Sequence, residues 1–296
     1  MSSQQGKEQQ EKIRILILNP NSSKSMTDGM EKSISSLNLP DTIQIQYYTA
    51  PPSSPASIND ATDVQTSAEE VLKDLLKPDH LNQFQLQDQD AILVCCFSVH
   101  PLVPKLSELL LLPNSTSTST STSTSTSIPV SVTGIFEAAA LTSLSLLTGR
   151  PTKKWGIVTT GAYWEDHLTR GVHEFLGYWY GGAGEGEGEN KNTKNYKFVG
   201  VQTTGLNAGD FHGKVPPEEI DAKLVEATRR LLRTSTDVEC VVMGCAGMAG
   251  LEQIIRRTAI EEYGEEKGRK VMVVDGVRAG VGLLAEMVKN RRMFTQ

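Results

Sequence analysis

The feature that most constrains this chain is an alternation of short β-branched runs with helical patterns that passes through the same cycle twice. The runs lie at 13–18, 43–48, 91–95, 129–133, 155–159, 197–202, 238–243 and 271–274. Helical patterns fill 24–37, 60–77, 101–112, 137–147, 163–176, 217–233, 248–263 and 277–291. Apolar runs this short and this continuous suit strands buried on both faces, and such strands need a helix layer on each side. Strand then helix, repeated, predicts an α/β fold built on parallel sheets. In the first cycle one strand ends at Asn19 and a later one at Cys96; in the second, the corresponding strands end at Thr160 and Cys245, with similar spacing. Two similar lobes, 13–150 and 151–296, that face each other would place Cys96 and Cys245 in matching positions.

Three segments fall outside this pattern. Residues 1–12 are a polar tail, 115–127 alternate Ser and Thr, and 181–195 are rich in Gly, Glu and Asn. Without apolar residues they cannot offset the entropy of ordering, so each reads as a surface excursion. The 296 residues otherwise provide room for two lobes of ordinary size.

Composition excludes several classes of function. A net charge of −6 with no basic cluster argues against nucleic-acid binding. No apolar stretch is long enough to span a membrane, and the polar start predicts no secretory signal. Four cysteines in this length are no disulfide scaffold, so free thiols and a cytoplasmic setting are expected. His80, His167, His173 and His212 show no metal-ligand spacing, and the chain has neither G-x-G-x-x-G nor a P-loop. Neither a metal nor a nucleotide cofactor is expected.

Ligands of open parallel sheets bind beyond the carboxyl ends of the strands, where both cysteines are expected. There each thiol would lie near the start of the next helix, whose N–H groups and dipole favour a thiolate. Two thiols across a cleft can racemise a substrate: a thiolate takes a proton from a stereogenic C–H and a thiol returns one to the opposite face. The enolate between these steps needs donors. Candidates are the backbone N–H groups that follow the cysteines, at Ser98, Val99, Ala246 and Gly247, and the hydroxyls of Ser98, Thr159 and Thr160. The competing reading of any one strand-end cysteine is an inert core residue, and Cys95 and Cys240 are read that way. His100 is either a base for Cys96 or, before Pro101, a capping residue. Glu137 either orients substrate or is an acidic residue in a first helical turn. The turn Asn19-Pro20-Asn21-Ser22-Ser23 caps a helix and can offer amide groups to a carbonyl-rich ligand.

Together these segments resemble the aspartate/glutamate/hydantoin racemase superfamily, on its hydantoin racemase branch. The resemblance is carried by the Asn19-Pro20-Asn21-Ser22-Ser23 turn, the loop Thr49-Ala-Pro-Pro-Ser-Ser-Pro-Ala-Ser57-Ile58, Cys96-Phe-Ser-Val-His-Pro, Gly134-Ile-Phe-Glu-Ala, Val158-Thr-Thr-Gly and Gly244-Cys245-Ala-Gly-Met. It covers about 13–290 and implies two α/β lobes with pseudo-twofold symmetry, no cofactor, a homo-oligomer, and a small-molecule substrate held by Cys96, Cys245 and surrounding residues that include Ile58. The implied reaction is racemisation of a 5-substituted hydantoin such as allantoin, a purine-breakdown metabolite. This chain departs from many members in having Ser-Val-His-Pro rather than Gly-Asp-Pro after the first cysteine position, and Asn59 where an acidic residue is common. No Arg lies near the strand-end motifs, which disfavours an amino-acid carboxylate as substrate. Two alternatives remain: a one-cysteine decarboxylase or cis–trans isomerase of the same superfamily, and a non-catalytic protein that binds such a metabolite.

Overall fold

The structure, a computed structural model, describes residues 12–111, 129–177, 197–213 and 215–295. The tail before Lys12, the Ser/Thr tract 115–127 and the Gly/Glu-rich segment 181–195 lie outside the described residues.

The first lobe runs β1 (Ile13–Asn19), α1 (Lys24–Ser35), β2 (Ile43–Thr49), α2 (Ala61–Leu75), α3 (Pro78–Phe84), β3 (Ala91–Val94), α4 (Leu102–Leu111), β4 (Ser131–Gly134) and α5 (Ile135–Leu146). The second runs β5 (Lys154–Thr159), α6 (Tyr163–Phe175), β6 (Phe198–Thr203), α7 (Pro217–Arg233), β7 (Val238–Met243), α8 (Glu252–Tyr263), a one-turn α9 (Glu265–Gly268), β8 (Met272–Asp275) and α10 (Gly276–Phe294). Two four-stranded sheets result, ordered β2-β1-β3-β4 and β6-β5-β7-β8. All strand pairs are parallel. Both sheets have the same order, so the repeated cycle is a repeated topology. The inner strands β3 and β7 are buried at every position, whereas the edge strand β2 is only half-buried.

Differences from the expected elements are local. α3 and α9 were not foreseen; one is two turns long and the other one, too short to show a period. The helix expected from 248 begins only at Glu252. Residues Ala246–Met248 form a 3-10 turn instead, and Gly250 sits at φ +91°, where a helix cannot continue.

The helices form three layers around the two sheets. α2 and α4 cover the outer face of the first sheet, where Val71, Leu75, Leu102 and Leu106 pack on Leu16, Leu18, Ile92 and Val94. α7 and α8 do the same for the second, with Leu224, Leu231 and Ile255 against Val158 and Val241. The middle layer is shared. It holds α1, α5, α6 and α10, and its side chains join Ile15, Ile17 and Leu93 of one sheet to Ile157 and Val242 of the other in one apolar cluster.

Within that layer the lobes exchange their last helices. α10 leaves β8 of the second sheet and packs on β1, β3 and β4 of the first. Gly280 allows this close approach, because a Cβ there would run into the Leu93 side chain. Reciprocally, α5 leaves β4 and touches β7 and β8. Its Ser143 hydroxyl accepts from the Cys240 thiol at 3.4 Å. Asp275 caps α10, accepting from the Val277 and Arg278 N–H groups. Arg278 in turn reaches the hydroxyls of Ser33 in α1 and of Ser36 just past its end.

Candidate active site

In each sheet the strand order reverses direction between the first strand of the lobe and its third, which opens a crevice at their carboxyl ends. The two crevices face each other. A cleft of about 370 Å3, counted out to its mouth, is lined from the first lobe by Asn21, Ile58 and Cys96 and from the second by Thr160, Trp164 and Cys245, among others. Cys96 and Cys245 are partly exposed in it. The structure thus places both strand-end thiols along one cleft.

Their electrostatics differ from expectation. Cys245 caps the 3-10 turn, and its sulfur accepts the Gly247 N–H at 3.3 Å. Cys96 has no helix start beside it, because α4 begins only at Leu102. The Ser98 hydroxyl donates to the Cys96 sulfur at 3.4 Å instead. Burial outweighs both contacts. It pushes the Cys96 thiol up to about 12, with the Ser98 bond pulling it down and nearby Cys245 and Glu137 pushing it up. Burial pushes Cys245 up to about 11, against the pull of the Gly247 and Met248 N–H groups. The downward shift expected from helix dipoles is absent, because desolvation of a thiolate in this cleft costs more than one or two N–H contacts return.

The other candidate residues divide by what their polar atoms already hold. Asn19 is fully buried, and its amide donates to the Asn21 side chain, the Ser23 carbonyl and the Thr27 hydroxyl, at 3.0–3.1 Å. Its own oxygen accepts the Asn21 N–H at 3.2 Å. It shapes the turn, and Asn21 is the residue that reaches the cleft. Thr159 donates to the Gly244 carbonyl at 2.6 Å. Ser98 is fully buried, and its N–H donates to the Cys96 carbonyl, so it is spent on the loop and the thiol. Ile58, Thr160, Ala246 and Gly247 line the cleft. The Gly247 N–H is already taken by the Cys245 sulfur.

Val99 and Glu137 do not line this cleft; both line the cavity beside it. Val99 is 43% exposed. One carboxyl oxygen of Glu137, Oε2, is buried without a hydrogen-bond partner, and burial pushes this acid up to about 7, partly offset by the Glu137 and Gly134 N–H groups. Cys95 and Cys240 are interior, at 1% and 0% exposure, although Cys95 also touches the cleft floor.

His100 takes the capping role. Its Nδ1 accepts the Leu102 N–H at 3.3 Å at the start of α4, which leaves the proton on Nε2 to donate to Ser67 at 3.1 Å. Ser67 passes the chain on to the Val64 carbonyl at 2.8 Å. Burial holds this imidazole neutral, with its pKa lowered to about 3.

Sequence reading passed over several cleft residues, Asn21, Trp164 and Ala208 among them. Asn21 lay inside a recognised turn, and only its place after a buried Asn19 marks it. Trp164 lies in the first turn of the helix after β5, a position that its strand-end location could have flagged. Ala208 comes from a 3-10 turn, Ala208–His212, with no sequence signal. The Gly209 N–H next to it donates to Ser57 at 3.2 Å, tying the loop of Ile58 to the opposite lobe across the cleft.

No three His, Cys, Asp or Glu side chains among the described residues gather as a metal-holding group. None of the described helices is long and apolar enough to cross a membrane.

Comparison with known proteins gives the same direction. A family model described as Asp/Glu/Hydantoin racemase matches residues 15–284. An uncharacterized protein of Schizosaccharomyces pombe, C1F7.10, is 33% identical over 96% of this chain and 94% of its own length. Among solved structures, allantoin racemase from Pseudomonas fluorescens shares the fold with a TM-score of 0.65 at 22% identity, over 94% of this chain and 92% of that one. Allantoin racemase from Klebsiella pneumoniae has a TM-score of 0.65 at 21% identity, over 94% and 88%.

Proposed function

Because this chain belongs to the Asp/Glu/hydantoin racemase family, we propose that it racemises a 5-substituted hydantoin, allantoin foremost, with Cys96 and Cys245 as the proton carriers. The observation that carries the reading is the pair of thiols, one from the end of each matching sheet, lining a single cleft.

The Cys245 thiolate takes the proton from the ring carbon, becomes a thiol and leaves an enolate. The Cys96 thiol gives its proton to the opposite face of that carbon and becomes a thiolate. The product is the mirror image, and the reverse direction starts from the Cys96 thiolate. Cys245 is written as the first base in this scheme because its sulfur already accepts an N–H. Among the described residues, none that lines the cleft carries a charged side chain. A neutral ring rich in amide groups suits it, with Asn21 and Thr160 as ring partners, better than a carboxylate that would need a cation. Assembly as a homo-oligomer and a cytoplasmic setting belong to the same proposal.

The test is circular dichroism of (S)- or (R)-allantoin incubated with the protein in heavy water, with the ring C–H followed by NMR. Loss of optical signal with matching deuterium uptake and no new product is the expected result. Cys96→Ser and Cys245→Ser should each abolish inversion. Inversion at the parent rate in either variant would overturn the two-thiol assignment.

A further inference from the structure

Asn21 lies two residues before the cap of α1, and its amide is fixed from one end. Oδ1 accepts the Asn19 amide at 3.1 Å and the Ser23 N–H at 3.0 Å, so both of its lone pairs are used. The backbone N–H of Asn21 returns to Asn19 Oδ1 at 3.2 Å. Asn19 also donates to the Thr27 hydroxyl at 3.0 Å, which pairs with the Thr49 hydroxyl at the end of β2 at 2.7 Å. Turning the Asn21 amide over would set its NH2 group against two donors, so the oxygen belongs to the turn and the nitrogen is the end left over.

Among the described residues that nitrogen has one partner, the thioether sulfur of Met26 at 3.2 Å. Asn21 and Met26 line the same cleft as Cys96 and Cys245. α1, which carries Met26, packs on the Ala246–Met248 turn that Cys245 caps. The nitrogen and its sulfur partner thus belong to the wall of the space that holds both thiols. A thioether is a weak acceptor on a flexible side chain, so a rotation of Met26 releases the nitrogen at little cost.

We propose that the Asn21 amide nitrogen leaves Met26 for the ring carbonyl oxygen next to the reacting carbon and holds that oxygen as it becomes the enolate oxygen. The inference rests on the hydantoin reading above and names the donor for its intermediate. In the substrate this oxygen is part of a neutral amide. Once the ring C–H proton has gone to a thiolate, the electron pair of that bond is shared with the oxygen, which takes the negative charge. An N–H bond strengthens from thioether to carbonyl to oxyanion. The exchange of partners therefore favours the enolate over the bound substrate, and that difference is what lowers the barrier. The network through Asn19 fixes the amide before a substrate arrives, so the donor needs no reorganisation as the proton moves.

The experiment follows inversion of (S)-allantoin and exchange of its ring C–H together in heavy water, for the parent protein, Asn21→Ser and Asn21→Asp. Both variants keep an oxygen for the Ser23 N–H, and neither has the amide nitrogen. The expected result is a kcat reduced about 10²–10³-fold with the KM little changed. Inversion and exchange should fall by the same factor, because the enolate lies on the path to both. An unchanged kcat, or a loss confined to KM, would overturn the proposal. So would exchange that persists while inversion is lost, which would make Asn21 a residue that positions one thiol. If Asn21→Ser melts well below the parent, Asn21→Asp carries the comparison, since its carboxylate keeps both contacts of Oδ1. Calorimetric binding of unsubstituted hydantoin decides the case of a parent that turns over no hydantoin. An affinity lowered about tenfold in Asn21→Ser would then sink the racemase reading and leave the amide standing as the carbonyl donor. Equal affinity, or no binding by the parent, would overturn both.

Discussion

The hydroxyl of Thr159, the last residue of β5, donates to the carbonyl of Gly244, next to Cys245 at the end of β7, at 2.6 Å. The contact between these two strand ends sets where the second thiol stands. Gly244 has no room for a side chain: a Cβ would lie 2.7 Å from both Ile157 Cγ2 and Thr159 Cβ. Thr159→Val keeps the shape and removes the bond, and we expect kcat to fall about tenfold or more with the KM little changed. Gly244→Ala should push β5 and β7 apart and cost more than that in kcat, with about 1–3 kcal/mol of stability. Steady-state kinetics and urea melts check both. A Thr159→Val effect confined to KM would mean that the hydroxyl faces substrate after all.

The raised thiols set an alkaline pH profile. With Cys245 at about 11, only a small fraction is thiolate at pH 7, so kcat/KM should climb roughly tenfold per pH unit between 7 and 9. The same shift works against the fold. The unfolded chain begins to lose thiol protons near the ordinary value of 9.0, while the folded chain keeps them to about 11 and 12 at Cys245 and Cys96. Stability is thus fully present below pH 9 and lost as pH rises through that window. Initial rates and urea melts from pH 7 to 10 read the two effects. A flat rate profile would count against free thiols as the proton carriers.

Acid should weaken the protein through His100. Its folded pKa of about 3 lies below the ordinary 6.5, so in acid the unfolded chain takes up a proton that the folded chain refuses. The stability concerned is present above pH 6.5, is lost as pH falls toward 3, and is on the order of 5 kcal/mol in full. His100→Asn should be less stable at pH 7 by about 1–3 kcal/mol, through the loosened Ser67 and Leu102 contacts. It should also be flatter between pH 6.5 and 4. Glu137 acts in the opposite sense up to about 7, so the comparison is variant against parent at each pH. Equal slopes in both would remove His100 as the acid-sensitive group.

Asn19→Ala should cost both stability and activity. It leaves the Asn21 N–H without its acceptor and deprives the Ser23 carbonyl and Thr27 hydroxyl of a donor, about 1–3 kcal/mol. It also frees Asn21, which lines the cleft. Asn19→Asp should do no better, because a carboxylate would face the Ser23 carbonyl. Thermal melts with racemisation assays separate this from a substrate-contact role, in which activity alone would fall.

Much of the fold was legible because both of its signals are local. Apolar runs marked all eight strands to within two residues, and their order in the chain implied the two matching sheets. The cysteines were legible because strand ends have a fixed meaning in parallel sheets. What escaped depended on where polar atoms are already bound. Asn19 and Thr159 have the right chemistry for a ligand, and only the fold shows them held by Thr27 and Gly244. Likewise, His100, four residues after Cys96, reads as either a base or a cap until its two nitrogens are traced to Leu102 and Ser67. The direction of the thiol shifts escaped for a further reason: desolvation is a property of the closed cleft and has no sequence pattern.

The exchange of α5 and α10 bears on the origin and dissection of the chain. A first half cut after α5 would present the face of its sheet that α10 covers bare to water, and the second half would lack the cover that α5 provides. Two identical halves, each lending its last helix to the other, would close into a swapped dimer with one thiol from each copy at the shared axis. This chain has the form of such a dimer joined covalently. It follows that the halves should melt as a single cooperative unit, and that co-expressed fragments 1–150 and 151–296 should be recovered together or not at all.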